Sequence, residues 1–193
     1  MRHKLSTALG FILFTLSPFV TSAVHAQTVA PGPYYAMPAW DQTLACPTPA
    51  NCPRFIVLSN MNSAAVLDRE TGLVWERSPS TAPMLFSSGI ASLHCISLRL
   101  GNRSGWRLPS VQELGSLVDA DPANTASPRL PPGHPFQNLQ FQDLNGIYWS
   151  ATSSTNPQFA WTMFLGNGFL GTDFVGASHF VWCVHGGKGQ DAQ

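Results

Sequence analysis

Charged side chains are scarce in this sequence. Asp, Glu, Lys and Arg make up 10% of the chain, whereas roughly 25% is usual in soluble domains. Ten basic residues balance ten acidic residues, so the formal net charge is zero. Nucleic-acid binding requires a basic surface, and the composition therefore argues against a nucleic-acid partner.

Long apolar runs are also absent, with one exception at the N-terminus. Basic residues precede an apolar stretch at residues 5–23, and a small-residue cleavage site ends at Ala26. These features predict a signal peptide over residues 1–26, although a retained membrane anchor is the alternative. No later segment has the ~20 apolar residues of a membrane span. We therefore expect no membrane span after cleavage, and a secreted, periplasmic or cell-surface location.

The sequence lacks the short motifs of common catalytic and metal sites. It contains no Cys-x-x-Cys, His-x-x-x-His, His-Glu-x-x-His or Gly-x-Ser-x-Gly pattern. Residues 166–171 match Gly-x-Gly-x-x-Gly, but a strand pattern follows them, so we interpret them as a hairpin and not as a dinucleotide site. We therefore expect no catalytic residues, no metal, no cofactor and no enzyme activity.

Cysteine is rare but even in number, and all four cysteines follow the predicted signal peptide. In an oxidising compartment, such a set favours disulfides. Of the three possible connectivities, we favour Cys46–Cys52 and Cys95–Cys183. The chain-entropy relation gives about 2.4 kcal/mol for the short loop and about 4.6 kcal/mol for the long one.

The chain divides into three parts after the signal peptide. Residues 27–53 are rich in Pro, Ala, Thr and Tyr, and we expect an extended arm with a local disulfide. A folded domain is predicted over residues 54–187. Residues 188–193 are expected to form a flexible tail.

Strand patterns and two helix patterns alternate along the folded part. Residues 81–101 predict the first helix, and a Ser-x-x-Glu capping box at Ser110 and Glu113 begins the second. Strands are predicted at residues 55–59, 65–68, 73–75, 106–108, 147–151, 159–164, 169–174 and 179–185. This order predicts an α+β fold, with two helices packed on a mostly antiparallel sheet and braced by disulfide.

Polar residues near the loops of the C-terminal half are the candidate ligand contacts. One lies in the long, Pro-rich segment 119–146, and loops of that length are usually functional or mobile. The others flank the turns near residues 156 and 176. The candidates are His134, Asn156, Gln158, Asp173 and His179. We expect the face that they form to bind a glycan or a protein.

Five short segments, taken in order, carry a family resemblance. They are Asp-Arg-Glu-Thr-Gly-Leu-Val-Trp at 68–75, Gly-Trp-Arg-Leu-Pro-Ser at 105–110, Glu-Leu at 113–114, Tyr-Trp-Ser-Ala-Thr at 148–152 and Val-Trp-Cys-Val at 181–184. Together they resemble the Lcl C-terminal domain family, also called DUF1566. The resemblance implies a distant relation to the C-type-lectin-like and formylglycine-generating-enzyme folds. It also implies a Cys95–Cys183 bridge between the first helix and the last strand.

The resemblance further implies an exported bacterial domain, of a kind that binds sulfated glycans in an adhesin. Two positions depart from the family pattern, Ser88 where Trp is usual and His185 where Arg is frequent. Without the predicted signal peptide, eight basic residues face ten acidic ones, which favours an uncharged glycan or a protein over a polyanion.

The sequence therefore predicts a non-catalytic binding module at the cell envelope or outside the cell. Two alternatives stay open. One is a metal-dependent enzyme distantly related to formylglycine-generating enzymes, which requires free thiols. The other is a structural component of the envelope, suggested by the Pro-rich arm.

Overall fold

The computed structural model describes residues 53–142 and 146–186. Cys46 and Cys52, the predicted signal peptide, nearly all of the predicted arm and the predicted tail lie outside the described residues. The strands of the described part are β1 (Phe55–Val57), β2 (Ala65–Asp68), β3 (Val74–Glu76), β4 (Met84–Leu85), β5 (Trp106–Arg107), β6 (Ile147–Ser153), β7 (Phe159–Phe164), β8 (Phe169–Phe174), β9 (Ser178–His179) and β10 (Val184–His185). Its helices are α1 (Ile90–Ser97), α2 (Val111–Ser116) and a 3-10 turn at Ser59–Met61.

The strands of the described residues form three open, antiparallel sheets. The largest has the order β1-β2-β3-β10-β5, a second pairs β4 with β9, and the third has the order β6-β7-β8. Strand β10 comes from the end of the domain and lies between β3 and β5, so early and late segments share one sheet. The domain is mostly β with few helices, and the mostly antiparallel pairing is as the sequence predicts.

Both faces of the five-stranded sheet are covered by apolar side chains. Ala65 and Val74 belong to one buried cluster, whereas Val66 and Trp75 belong to the other. Successive residues of a strand point to opposite faces, and both faces need apolar residues here. This requirement explains why successive residues are apolar at positions 65–67 of β2 and at positions 74–75 of β3.

Helix α2 begins as the sequence predicts. The Ser110 side chain accepts the N–H of Glu113 at 3.2 Å, and the Glu113 carboxylate accepts the N–H of Ser110 at 2.8 Å. This reciprocal capping box satisfies two backbone donors that the first turn leaves free. Leu114 and Leu117 are fully buried and hold the helix on the core.

Helix α1 is shorter than predicted. The pattern over residues 81–101 suggested a long helix, but the helix occupies only Ile90–Ser97. Before it, Met84 pairs with His179 in the β4–β9 ladder, and Gly89 has a left-handed φ of +70°. The prediction was wrong here because pairing with a distant strand holds the preceding residues extended.

The predicted strand at residues 179–185 is also interrupted. It divides into β9 and β10, and the residues between them are irregular. Phe180 bonds β6 instead, since its N–H donates to Ile147 O at 2.9 Å and its carbonyl accepts the Trp149 N–H at 3.0 Å. The chain thus leaves one sheet, touches a second and enters a third within seven residues.

The Cys95–Cys183 disulfide is present, as predicted. It joins α1 to the residue that precedes β10, across a sequence separation of 88 residues, and both cysteines are fully buried. The helix is therefore tied covalently to the residue just before β10, the strand that lies between β3 and β5 in the largest sheet.

Residues 117–142 contain neither a helix nor a strand within the described part of the chain. This agrees with the irregular segment predicted from residue 119. Two of its side chains, Leu130 and Phe136, are nevertheless buried in the core. The backbone N–H of Arg129 also donates to Leu165 O at 3.0 Å, so the segment is fastened to the end of β7.

Candidate functional site

The β7–β8 hairpin carries a Phe-x-Gly pattern that occurs three times at intervals of five residues. Its aromatic members are Phe164, Phe169 and Phe174. The Gly-x-Gly-x-x-Gly match at 166–171 lies inside this pattern, and the structure confirms it as a hairpin. Phe164 pairs with Phe169 across the turn, and Gly168 takes a φ of +76° that favours glycine.

Two of these phenylalanine rings lie across their own glycines on one face of the hairpin. A Cβ atom at Gly171 would lie 2.8 Å from the Phe169 ring, and one at Gly166 would lie 2.8 Å from the Phe164 ring. Because glycine has no side chain, each of the two glycines leaves room for the preceding ring against the backbone. Phe169 is 66% exposed, and its ring is therefore accessible to a ligand.

A groove of about 470 Å³ lies along this hairpin. The register places Ile147, Phe164 and Phe169 side by side across β6, β7 and β8. The groove is lined by Ile147, Trp161, Thr162, Phe164, Phe169, Leu170, Gly171, Thr172 and Asp173. Among these nine described residues one is acidic and none is Lys or Arg, while two threonines supply hydroxyl groups.

Asp173 connects the groove to His179, the second residue of β9. The His179 Nε2 and an Asp173 carboxylate oxygen are 2.8 Å apart. The His179 ring packs on the Trp149 ring with centroids 4.5 Å apart, and Trp149 Nε1 donates to Met84 O at 2.9 Å. A buried tryptophan therefore fixes the imidazole that positions the Asp173 carboxylate.

Asn156 and Gln158 belong to the turn between β6 and β7, close to the same pair. The Asn156 side-chain oxygen accepts the Gln158 N–H at 3.0 Å, and the Gln158 carbonyl accepts the Val175 N–H at 2.9 Å. Val175 lies two residues after Asp173. Four of the five candidate contacts thus lie at one end of the three-stranded sheet.

His134 has different surroundings. Its ring contacts Phe136 with centroids 5.9 Å apart, and Phe136 packs edge-on against Trp182 at 4.9 Å. Burial lowers the pKa of His134 below its usual value. The contacts of His134 are with this aromatic cluster and not with the pair formed by Asp173 and His179.

A second polar group lies beneath α1. A carboxylate oxygen of Glu76, a ring nitrogen of His94 and the Cys183 sulfur all lie within 4.8 Å of one another. Only 7% of Glu76 is exposed, and burial raises its pKa to about 7, opposed by the N–H of Cys183. Burial lowers the pKa of His94, whose Nε2 has no hydrogen-bond partner among the described residues.

The sequence analysis missed both the Phe-x-Gly pattern and this buried group. The first has a signal in the sequence, because three Phe-x-Gly units recur at a fixed interval. The second has none, because its members come from β3, α1 and the residue before β10. Only the folded sheet brings them together.

The described chain is therefore a disulfide-braced, mostly β domain with a shallow aromatic groove. The sequence profile of the Lcl C-terminal domain matches residues 64–185. The chain belongs to the Lcl C-terminal domain family, as its motifs predicted. Comparison with curated proteins gives no matching sequence. Within residues 53–142 and 146–186, each helix is too short to cross a membrane.

Proposed function

We propose that this protein is an exported, non-catalytic binding module that recognises an uncharged glycan in the groove of the β7–β8 hairpin. The exposed ring of Phe169, lying over Gly171 in the groove, is the observation that carries the proposal. Binding sites typically combine apolar and aromatic walls with a few well-placed polar groups. The groove has this composition.

Each part of the groove matches one part of a sugar. The face of an aromatic ring is apolar but electron-rich, and it suits the C–H face of a pyranose. The Asp173 carboxylate and the Thr172 hydroxyl offer hydrogen bonds to sugar hydroxyls, whereas the hydroxyl of buried Thr162 already donates to Gly171 O at 3.3 Å. Arg and Lys are the usual side-chain partners of sulfate groups, and the described lining residues include neither, so an uncharged glycan fits better than a sulfated one.

Export is part of the proposal. The N-terminal targeting pattern supports it, as does the buried Cys95–Cys183 disulfide, because structural disulfides belong to oxidising compartments. The same bond leaves neither cysteine as a free thiol for cysteine-based chemistry. We also include in the proposal the distant relation to C-type-lectin-like domains that the family resemblance implies.

A glycan array with the purified protein, followed by calorimetric titration of the best oligosaccharide, tests the proposal. Phe169→Ala should weaken binding by about tenfold or more, the effect of losing a central aromatic contact. Phe174→Ala is the matched control, because Phe174 is an equally large, exposed side chain outside the lining of the groove. It should leave the affinity within about twofold.

Two outcomes would contradict the proposal. Binding to sulfated glycans alone would show that this groove, whose described lining lacks Lys and Arg, is not the site. An empty array, combined with photocrosslinking from position 169 to an envelope protein, would assign the groove to a protein ligand instead.

A further inference from the structure

The buried group beneath α1 contains the donor atoms of a transition-metal site. Imidazole nitrogen, carboxylate oxygen and cysteine sulfur are the three ligand types that zinc prefers in proteins. Here His94, Glu76 and Cys183 supply one atom of each type, all within 4.8 Å of one another. In the oxidised protein the Cys183 sulfur is bonded to Cys95, and a disulfide sulfur is a much poorer ligand than a thiolate.

We propose that reduction of this disulfide opens a zinc site in which Glu76, His94 and Cys183 bind the metal. The sulfur of Cys95, released at the same place, is available for the fourth position. In this proposal the disulfide braces the fold, and it also keeps the Cys183 sulfur from binding metal until it is reduced. This inference does not depend on the glycan groove.

Besides the disulfide of Cys183, hydrogen bonds hold Glu76 and Cys183 together. Glu76 ends β3, and its N–H donates to Cys183 O at 3.0 Å, while the Cys183 N–H points back to the Glu76 carboxylate at 3.5 Å. Helix α1 presents His94 on the other side. Donors around tetrahedral zinc lie about 3.3–3.8 Å apart, given bonds of about 2.0–2.3 Å, so small side-chain movements close the site.

The surroundings of the donors also favour a metal. The His94 Nε2 is buried and has no other partner in the described part of the chain. The Glu76 carboxyl is buried, and a backbone N–H donates one long hydrogen bond to it. A buried carboxylate without a partner is unfavourable, and a bound cation would supply that partner.

The redox step balances with a dithiol as the reductant. The dithiol gives two electrons and two protons, becoming a disulfide, while Cys95 and Cys183 become thiols. Zinc then displaces the proton of each thiol that binds it, together with the proton that the Glu76 carboxyl holds below a pH of about 7, and these protons pass to solvent. The metal itself is neither oxidised nor reduced.

The test uses the protein with Cys46→Ser and Cys52→Ser, so that Cys95 and Cys183 are its only cysteines. One sample stays oxidised, and the other is reduced with dithiothreitol and desalted without oxygen. Both are titrated with zinc against a chromophoric chelator. We expect one zinc per reduced chain with at least 100-fold higher affinity than the oxidised chain, and a thiolate-to-cobalt absorption band when Co²⁺ replaces zinc.

Single variants separate this site from adventitious binding by two thiols. His94→Gln and Glu76→Gln should each weaken zinc binding by at least tenfold. His134→Gln and Glu70→Gln should leave it within twofold. His134 is the matched control for His94, because it is also half-buried, with its pKa lowered by burial.

The proposal is overturned if the oxidised and reduced chains bind zinc equally, or if Glu76→Gln binds zinc as tightly as its parent. An unfolded chain could hold zinc through its cysteines and neighbouring His94, but it would not need Glu76. If the reduced chain unfolds, zinc must restore its native near-ultraviolet circular dichroism, and failure to do so also overturns the proposal.

Discussion

Arg107 binds both carboxylate oxygens of Glu113, at 2.7 and 2.8 Å. The same carboxylate accepts the Ser110 N–H and so caps α2, while Arg107 also donates to Gly186 O at 2.6 Å. The ion pair of Arg107 and Glu113 therefore links β5, the start of α2 and the backbone just after β10. The distinctive sequence around residues 105–114 therefore supplies contacts that assemble the fold.

Glu113→Ala should lower the free energy of unfolding by about 3 kcal/mol, because it removes the cap and leaves the Arg107 guanidinium without its carboxylate. Urea denaturation at neutral pH measures this. Glu70→Ala is the matched control, since Glu70 pairs with Arg54 at 3.0 Å but is half-exposed, and it should cost at most about 1 kcal/mol. Equal losses would show that the network around Glu113 adds little.

Glu76 should make the protein less stable as pH rises. Its folded-state pKa of about 7 lies above the ordinary value of 4.5, so between these values the folded protein holds a proton that the unfolded chain releases. Stability is highest below pH 4.5 for this group and is lost as pH rises through 7, by at most about 3 kcal/mol.

Glu76→Gln should remove this pH dependence. Urea denaturation at several pH values should show the variant close to the parent near pH 4.5 and more stable above pH 7. Glu70→Gln should follow the parent throughout. A constant difference between Glu76→Gln and its parent across the range would contradict the buried, protonated carboxyl.

Gly101→Ala should destabilise the protein more than Gly133→Ala. Both glycines have positive φ, +55° and +78°, so an alanine at either site carries a similar backbone cost of about 1 kcal/mol. A Cβ at Gly101 would also lie 2.5 Å from the Cα of buried Met61, whereas at Gly133 it would meet nothing within 4 Å. We expect an additional loss of about 1–3 kcal/mol at Gly101, measured by urea denaturation. Equal losses would show that the Ser59–Met61 turn shifts at little cost to make room for the added Cβ atom.

Replacing Cys95 and Cys183 by alanine should lower the free energy of unfolding by about 4–5 kcal/mol, because the unfolded chain regains the freedom of an 88-residue loop. The comparison is the double variant Cys46→Ala and Cys52→Ala. Its expected loss in the free energy of unfolding is about 2.4 kcal/mol, because the predicted loop is short. A loss below that of the short loop would show that the reduced domain keeps its packing without the bridge.

Local signals predicted the local parts of the fold. The capping box of Ser110 and Glu113 and the hairpin at residues 166–171 are each complete within a few residues, and both occur as predicted. The start of α1 and the break after β9 depend on pairing with distant strands. No pattern near Met84 indicates that His179 will pair with it, so residues with a helical pattern form a strand.

The candidate ligand contacts also divide into those that local sequence brings together and one that distant packing places elsewhere. Asp173 and His179 are six residues apart, and their turn brings them together. His134 was grouped with them because it lies in a long loop, but Leu130 and Phe136 on either side are buried in the core. The apolar side chains of that loop decided its position, and a prediction based on loop length did not weigh them.

The disulfide encloses everything from α1 to the start of β10, including the long irregular segment. A protease that cuts once between residues 117 and 142 would therefore release no fragment, since each half carries one of the bonded cysteines. A nicked molecule would keep the sheet shared by β3, β10 and β5, and would migrate as two pieces only after reduction. The bridge therefore keeps the two halves of the domain together even when the connection between them is cut.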